Sequence, residues 1–287
     1  MDHKTFFFNP KKGVRLLSIA ILLLGSFLYW TTAAQPQDHG AALSQEARTY
    51  WLKTQRICQR SLICDKVVIN GTLEPKDKYL YLAMMDIVLK TVDSGLTSAW
   101  YSQVSKALEE VVINTSWWDR RWSANRTRIT LNVDQISSYN EFLQVFTHEL
   151  GHIVDLGVLQ WTKSEKNTYF TEFGKVVFAI NDPSFSYYSA SRYAEDTRHI
   201  GSRKEDFCSG YAMTNPFEDF AECFNLYMNH NAYFQTLAKT NDMLAQKYNN
   251  IDEIFDGNYL LSNTRTQNLG EKNGTSRRGR DTTRLVR

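Results

Sequence analysis

The sequence predicts an α+β domain that is mostly helical and carries a small mixed sheet. Helical hydrophobic patterns extend over three segments, at about residues 42–60, 76–92 and 98–110. Short β-branched or alternating runs indicate strands at residues 66–70, 110–114 and 128–133. A fourth amphipathic pattern, over roughly residues 140–156, follows the last of these runs and predicts the helix that carries the main motif of the chain.

The predicted helix over residues 140–156 has recognisable start and stop signals. Helix-start chemistry comes from Ser137, Ser138 and Asn140. Apolar residues then recur at helical spacing: Phe142, Val145, Phe146, Leu150, Ile153, Val154 and Leu156. Gly157 is the expected stop. Gly151 costs about 1 kcal/mol against alanine inside a helix, so we expect another backbone to pass close to it.

Residues 148–152 read His-Glu-Leu-Gly-His, the HExxH pattern of a helix that binds zinc. His148 and His152 are four apart and share one face of the helix, so both imidazoles can reach one ion. Glu149 leans to the side of that ion and can reach a water bound there. The alternative interpretation, a helix with two solvated histidines, leaves Glu149 and Gly151 without an explanation.

Length and charge limit the classes of protein that the chain can belong to. Its 287 residues, 43% hydrophobic, allow one large domain or two small ones. The net charge of +2 gives no indication of a nucleic-acid partner. We expect four parts: a targeting segment at 1–35, a linker at 36–41, a domain at 42–261 and a polar, basic, disordered tail at 262–287.

The targeting segment is expected to be a signal peptide or a single membrane anchor. Lys11, Lys12 and Arg15 precede an uncharged run from 16 to 37 that is apolar through Trp30. The positive charges should stay in the cytoplasm, so the rest of the chain is expected outside it, secreted or held at the cell membrane. The pattern leaves cleavage and retention both open.

The four cysteines fit an oxidising compartment. Cys58 lies close to Cys64 in the sequence, and Cys208 lies close to Cys223. Local pairing is one of three possible connectivities, and free buried thiols are a further alternative.

A catalytic zinc site needs a third protein ligand besides two histidines. Glu218 is the strongest candidate, chiefly through the resemblance described below. Asn215 and Pro216 predict the start of the helix over residues 215–224 that carries it. Glu222 lies four residues further on, so one carboxylate can bind the metal while the other holds a histidine through its second nitrogen. The alternatives are a capping role for Glu218 and two solvated carboxylates.

Two other carboxylates are weaker candidates for the third ligand. Glu172 lies at the thermolysin-type spacing of about twenty residues, but the asparagine expected before it is absent. Asp155 lies one turn past His152 on the same face and better suits orientation of an imidazole. Asp155 and Val158 also occupy the positions where a metzincin has glycine and its last ligand, which excludes that class.

Tyr211 lies seven residues before Glu218 and completes a set of motifs. HELGHxxD at 148–155, this tyrosine and E-x-F-A-E-x-F at 218–224 resemble the group containing the lethal-factor catalytic domain and the secreted Pro-Pro endopeptidases. The similarity covers about residues 127–230. The chain departs from that group at Asp219, where the group has an aromatic residue, and by an insertion within 160–210. Aromatic residues of the insertion either line the cleft or pack: Phe185, Tyr187, Tyr188 and Tyr193.

The resemblance implies a zincin-like metallopeptidase domain with its sheet above the motif helix, one Zn²⁺ per chain and a protein or peptide substrate. The roles that it implies are zinc ligation by His148, His152 and Glu218, general-base catalysis on a zinc-activated water by Glu149, oxyanion stabilisation by Tyr211, and support of the histidines by Glu222 and Asp155. A strand at 130–133 would either pair with the extended substrate or be an ordinary inner strand.

Two classes of function follow. The first is an exported or membrane-anchored zinc endopeptidase. The second is a catalytically inactive zincin-fold protein that binds or assembles partners at the cell surface, for which loss of Glu149 or of a ligand would be the expected sign. A peptide deformylase is excluded because its cysteine ligand is absent, and an intramembrane protease because the motif lies far outside the apolar run.

Overall fold

The structure is a computed structural model that describes residues 39–97, 103–116, 121–159, 165–262, 267–268 and 281–286. Thr49–Arg287 forms one compact unit, and the described part of the other unit, Met1–Arg48, is helical. The expected targeting segment lies outside the described residues. Among the helices that are described, none has the length and apolar character needed to cross a membrane.

Helices dominate the described chain, and the predicted α+β class is confirmed. The helices are α1 His39–Cys58, α2 Pro75–Gly95, α3 Val104–Ala107, α4 Tyr139–Ile153, α5 Ser184–Tyr188, α6 Pro216–Asn229, α7 Asn231–Ala238 and α8 Asp242–Phe255. The strands are β1 Val67–Asn70, β2 Glu110–Asn114, β3 Trp122–Ala124, β4 Arg128–Asn132, β5 Arg192–Ala194, β6 Thr197–Arg198, β7 Gln267–Asn268 and β8 Leu285–Val286. Short 3-10 turns occur at Val133–Gln135, Lys204–Asp206 and Thr282–Arg284.

The main sheet is small and mixed, with strand order β1-β2-β4-β3. β1, β2 and β4 run parallel, and β3 runs antiparallel to β4 with Ser123 opposite Thr130. β4 is therefore bonded on both sides, so the prediction that residues 130–133 pair with substrate is wrong and the inner-strand alternative holds. β3 is the edge strand on that side. The motif helix α4 packs against both β3 and β4.

Two predicted helices differ from the structure at their ends. The pattern over 98–110 yields only the four-residue α3 within the described residues, because Glu110 already begins β2. The motif helix does not stop at Gly157: α4 ends at Ile153 and continues as a π turn over Val154–Val158. A β-carbon at Gly157 would lie 2.5 Å from the carbonyl oxygen of Arg126, so this glycine makes room for a neighbouring backbone.

The core around the motif helix is built by packing α4 on α6. The apolar face of α4 is fully buried through Phe142, Val145, Phe146, Leu150 and Ile153. The two helices meet at Gly151, where an added β-carbon would lie 3.0 Å from the Cα of Ala221. The expectation that another backbone passes close to Gly151 is confirmed.

Both cysteine pairs form local disulfides, Cys58–Cys64 and Cys208–Cys223. This is the local pairing among the three connectivities that the sequence allowed. Cys223 lies on α6, so the second disulfide ties that helix to the loop that precedes it.

The insertion within 160–210 contributes most of its aromatic residues to packing. Tyr187 and Tyr188 are completely buried, and Phe185 packs against the same core. Tyr193 is exposed and lies against His199, with ring centroids 4.3 Å apart. The packing alternative therefore holds for three of the four residues, since only Tyr193 is free to meet a ligand.

The C-terminal end departs from the expected disordered tail. Residues 281–286 return to the domain: Thr282 and Thr283 are buried, and Leu285 is part of the core. Gln144 of α4 donates a hydrogen bond of 2.6 Å to the carbonyl of Leu285. The polar composition of the tail gives no indication of this segment, because its described contacts are specific polar bonds and a single apolar side chain, that of Leu285.

Candidate metal centre

The two histidines of the motif lie at the C-terminal end of α4. Ser138 starts the helix, its hydroxyl accepting a hydrogen bond from the Glu141 N–H at 3.1 Å. One turn separates His148 from His152, and their ring centroids are 5.1 Å apart. Both side chains are almost fully buried, which holds the imidazoles in fixed orientations.

Glu218 reaches the histidines from the first turn of α6. Asn215 caps this helix by accepting a hydrogen bond from the Glu218 N–H at 2.9 Å, and Pro216 follows as the first helical residue. Glu218 Oε2 lies 3.2 Å from His148 Nε2 and 3.4 Å from His152 Nε2. The carboxylate thus faces the histidines, whereas the capping alternative would turn it back toward the start of its own helix.

These three atoms have the spacing of ligands around one ion. Ligands about 2.0–2.1 Å from a tetrahedral zinc lie roughly 3.3 Å from one another, and the two measured separations match this value. His148 Nε2 and Glu218 Oε2 are buried and have no hydrogen-bond partner within the described chain. Buried polar atoms left without partners are costly, so the residues present fit a divalent cation held by two imidazoles and a carboxylate.

Glu222 supports His148 from behind. Its Oε1 lies 3.0 Å from His148 Nδ1, and its side chain is completely buried. A carboxylate beside Nδ1 favours the proton on that nitrogen and leaves Nε2 as the ligand atom. In the metal-free protein burial alone would lower the pKa of His148, but Glu218 and Glu222 outweigh it and raise that pKa well above its ordinary value. Glu222 therefore lies where it could hold the imidazole of His148.

Glu149 lies beside the atoms His148 Nε2, His152 Nε2 and Glu218 Oε2. Its Oε1 is 3.9 Å from His148 Nε2, is buried and has no hydrogen-bond partner among the described residues. One atom from each of His148, Glu149 and His152 falls within a 4.8 Å group. Burial raises the pKa of Glu149 to about 7 in the metal-free protein, which is near the value that suits a general base at neutral pH.

Tyr211 reaches the same cluster from the loop before α6. Its hydroxyl donates to Glu218 Oε1 at 3.0 Å, and its ring lies stacked 6.2 Å from that of His148. Burial and the negative charge of Glu218 raise the pKa of Tyr211, so the phenol keeps its proton and remains a donor. About a third of the side chain is accessible, at 36%, so a substrate can reach it.

Asp155 and Glu172 make other contacts. Asp155 is fully buried and accepts a hydrogen bond from Tyr188 at 2.6 Å, so its observed bond anchors the insertion. It also interacts electrostatically with His152. Glu172 forms an ion pair with Arg126, which in turn donates to the Leu156 carbonyl at 2.8 Å. Glu172 is thus held beside the π turn and is not brought to the histidines.

The resembling group has an aromatic residue at the position of Asp219. In this chain the contacts of Asp219 with the insertion and with α8 account for the difference. It forms a buried ion pair with Lys247 of α8 at 2.6 Å and accepts a hydrogen bond from Ser191 at 3.0 Å. Tyr187 donates to the Asp219 carbonyl at 2.8 Å. An aromatic residue at this position could not satisfy Lys247, whose side chain is completely buried. The insertion and the replacement at Asp219 therefore form one structural feature that fixes α6 next to Glu218.

Trp122 lies beside the site; its cluster of tryptophans in the sequence predicts either loop and core packing or a carbohydrate or peptide platform, and does not predict this contact. Its ring lies 6.4 Å from that of His148, at the start of edge strand β3, and the Arg121 guanidinium lies 3.7 Å from its centre. The alternation of side chains along β3 does not predict the contact between Trp122 and His148. That contact depends on how the sheet lies over α4.

Comparisons with curated proteins and with solved structures give no match. A comparison with protein families matches residues 119–267, just over half of the chain, to the family described as "Putative zinc-binding metallo-peptidase". The matched residues include the histidine pair, Glu149, Tyr211, Glu218 and Glu222. This chain belongs to that family of zinc-binding metallopeptidases.

Proposed function

We propose that this chain is a zinc-dependent endopeptidase in which His148, His152 and Glu218 hold the metal. The observation that carries the proposal is the convergence of two imidazole nitrogens and one carboxylate oxygen at 3.2 and 3.4 Å. Membership of a metallopeptidase family gives the reaction class, the hydrolysis of protein or peptide bonds. Zinc, when bound, supplies Lewis acidity that activates water and polarises a carbonyl.

Glu149 is proposed as the general base. Its buried Oε1 is free of protein partners within the described residues and can accept a proton from the attacking water, then deliver it to the leaving amine. Because Glu149 Oε1 lies 3.9 Å from His148 Nε2, beyond hydrogen-bond distance, loss of this side chain should leave the metal in place.

Tyr211 is proposed as the donor to the developing oxyanion. It keeps its proton and lies within 3.0 Å of a ligand carboxylate, so its hydroxyl is held at the edge of the metal site. One such donor contributes roughly 3–4 kcal/mol to a transition state. The presence of Tyr211 at the site also supports the proposal that the chain is related to the lethal-factor and Pro-Pro endopeptidase group, whose motifs it resembles.

Among the described residues, β3 is an edge strand with which an extended peptide could pair. This strand is bonded on one side to β4, and it begins at Trp122, next to His148. Main-chain pairing along an edge strand places a bond in the middle of a peptide near the metal, which favours an endopeptidase. The inactive binding-protein alternative has no observation in its favour, since Glu149 and all three ligands are in place.

The decisive experiment combines metal analysis with a peptide-library digest of residues 36–287, using Glu149→Ala as the matched control. We expect one zinc per chain in both proteins, internal cleavage by the unaltered chain, and turnover lowered by at least 100-fold in Glu149→Ala. Cleavage by Glu149→Ala at the unaltered rate would remove Glu149 from the mechanism. Zinc binding with no cleavage by either protein would favour the binding-protein alternative.

We also propose that the enzyme acts outside the cytoplasm. Two disulfides in the described chain support this, because such bonds persist in oxidising compartments. The basic and apolar pattern of the first 35 residues supports it independently. Cell fractionation with N-terminal sequencing tests the proposal: a product beginning after residue 34 means cleavage, an intact membrane-bound chain means an anchor, and a reduced cytoplasmic protein contradicts export.

A further inference from the structure

The metal centre has a support that lies outside the part of the chain matched to the family. Residues 281–286 follow the matched range, which ends at 267, yet they pack against the back of both helices that supply the ligands. Asp281, Thr282 and Thr283 are buried. We propose that this segment positions the metal ligands, with the Thr282 main-chain N–H holding Glu222 and Glu222 holding His148. The proposal rests on the zinc site described above.

The first contact of the segment is made to Glu222. The Thr282 N–H donates to Glu222 Oε2 at 2.6 Å, while the other oxygen, Oε1, lies 3.0 Å from His148 Nδ1. The carboxylate is completely buried, so water cannot replace either contact. Each carboxylate oxygen of Glu222 therefore makes one contact. The orientation of the His148 imidazole depends on the Thr282 N–H, which lies sixty residues beyond Glu222 in the sequence.

The hydroxyl of Thr282 fixes the segment to α6. It accepts a hydrogen bond from Asn225 Nδ2 at 2.9 Å and donates to the Glu222 carbonyl at 3.3 Å. These bonds hold the turn against the helix, but they do not reach the Glu222 carboxylate. The N–H and the hydroxyl of one residue thus have separable roles.

A second set of contacts links the segment to Trp122, which lies beside His148. Asp281 binds Arg121 at 2.8 Å, and Arg121 also pairs with Glu141 in the first turn of α4. The same guanidinium covers the Trp122 ring, which lies beside His148. The segment therefore bridges α4, α6 and edge strand β3 around one ligand. Loss of a direct partner of a ligand histidine typically changes metal affinity about 10–100-fold. The segment holds such a partner, Glu222, one step further from the metal.

Two substitutions at one position separate the N–H from the hydroxyl. Thr282→Pro removes the N–H, and the site accommodates proline because Thr282 begins a 3-10 turn and Asp281 is extended, at φ −146° and ψ 159°. Thr282→Ala removes the hydroxyl, as proline also does, but keeps the N–H. The comparison of the two variants isolates the contact to Glu222.

The experiment measures zinc dissociation constants of the full chain by competition with a chromophoric chelator, together with thermal unfolding of the metal-free proteins. We expect Thr282→Pro to bind zinc about 10-fold more weakly than Thr282→Ala. The metal-free Thr282→Pro should also unfold at a lower temperature, because a buried carboxylate oxygen of Glu222 loses its donor. The absorption spectrum of bound Co²⁺ should also change in Thr282→Pro alone, since the geometry of the imidazole changes. Equal zinc affinity and equal Co²⁺ spectra in the two variants would overturn the proposal.

A measurement on the unaltered chain covers the case in which Thr282→Pro does not fold. Zinc loading should slow amide exchange at Thr282, because fixing His148 also fixes Glu222 and its donor. Unchanged exchange at Thr282 upon loading would overturn the proposal. Failure of the unaltered chain to bind zinc at all would instead refute the proposed function, so the two failures are distinguishable.

Discussion

Gly151 and Ala221 set the distance between the helix that carries the histidines and the helix that carries Glu218. A β-carbon at Gly151 would lie 3.0 Å from Ala221 Cα and 3.0 Å from Phe224 Cδ1. The absence of a side chain at this point lets α4 and α6 approach closely, one residue before His152 and one residue before Glu222. Glycine lowers the stability of the helix by about 1 kcal/mol relative to alanine, but it allows the close contact between α4 and α6.

Gly151→Ala should therefore destabilise the protein although alanine is the better helix former. Overpacking costs about 1–3 kcal/mol, against a gain of about 1 kcal/mol in helix propensity, so we expect a net loss of up to about 2 kcal/mol. Separation of the helices should also weaken zinc binding. Thermal unfolding and a chelator competition titration measure the two effects. A raised unfolding temperature with unchanged zinc affinity would show that the contact at Ala221 is not limiting.

Glu218→Gln should lose zinc, with Glu172→Gln as the matched control. Glu218 lies within 3.4 Å of both imidazole nitrogens, whereas Glu172 is occupied by Arg126. Loss of contacts one step from a metal already costs 10–100-fold in affinity, so we expect more than about 100-fold for Glu218→Gln. Glu172→Gln should stay within a few fold of the unaltered chain. Competition titrations with a chelator measure the zinc affinity of each variant. Loss of zinc by Glu172→Gln alone would show that Glu172, and not Glu218, is the third ligand.

That pair of glutamates shows where prediction from the sequence ends. The periodicity of α4, its HExxH motif and the Asn215-Pro216 helix start depend on neighbours within a few residues, and the structure confirms these features. Deciding between Glu172 and Glu218 requires tertiary packing, which local pattern does not contain. Only the motif resemblance favoured Glu218 strongly.

The contacts of Trp122 and Thr282 could not be predicted for the same reason. Trp122 reaches His148 through the way the sheet lies over α4, and Thr282 reaches Glu222 through a backbone N–H that every residue except proline carries. A polar, basic composition suggested disorder for the C-terminal residues. Composition measures how much apolar surface a segment can bury. It does not report the specific hydrogen bonds of Thr282 or the ion pairs of Asp281 and Arg284 that hold this segment.

Tyr211→Phe should slow turnover while leaving most of the metal in place. The substitution removes the donor hydroxyl and its 3.0 Å bond to Glu218 but keeps the ring beside His148. We expect kcat to fall by about 10²–10³-fold, as for the loss of one oxyanion donor, with zinc content within a few fold. Steady-state peptide hydrolysis and metal analysis provide the measurements. Loss of zinc in proportion to the loss of activity would make Tyr211 a structural residue.

Asp155 should make the stability of the metal-free protein depend on pH. Burial raises the pKa of its carboxyl from 3.8 to about 7, even though the hydrogen bond from Tyr188 opposes the shift. Below about pH 4 both the folded and the unfolded chain hold the proton, and the stabilisation is complete. Between about pH 4 and 7 the unfolded chain releases the proton while the folded chain keeps it, so the free energy of unfolding falls as pH rises.

Asp155→Asn isolates this contribution because asparagine still accepts the Tyr188 hydrogen bond but does not titrate. At 1.36 kcal/mol per pKa unit, the shift accounts for up to about 4 kcal/mol between the two ends of the window. We expect the variant to have a flatter dependence of unfolding free energy on pH between 4 and 7 than the unaltered chain, with the two curves diverging as pH rises. Denaturant unfolding in the presence of a chelator gives both curves. Parallel curves for the two proteins would mean that Asp155 is already ionised in the folded chain and that its charge is stabilised there by His152.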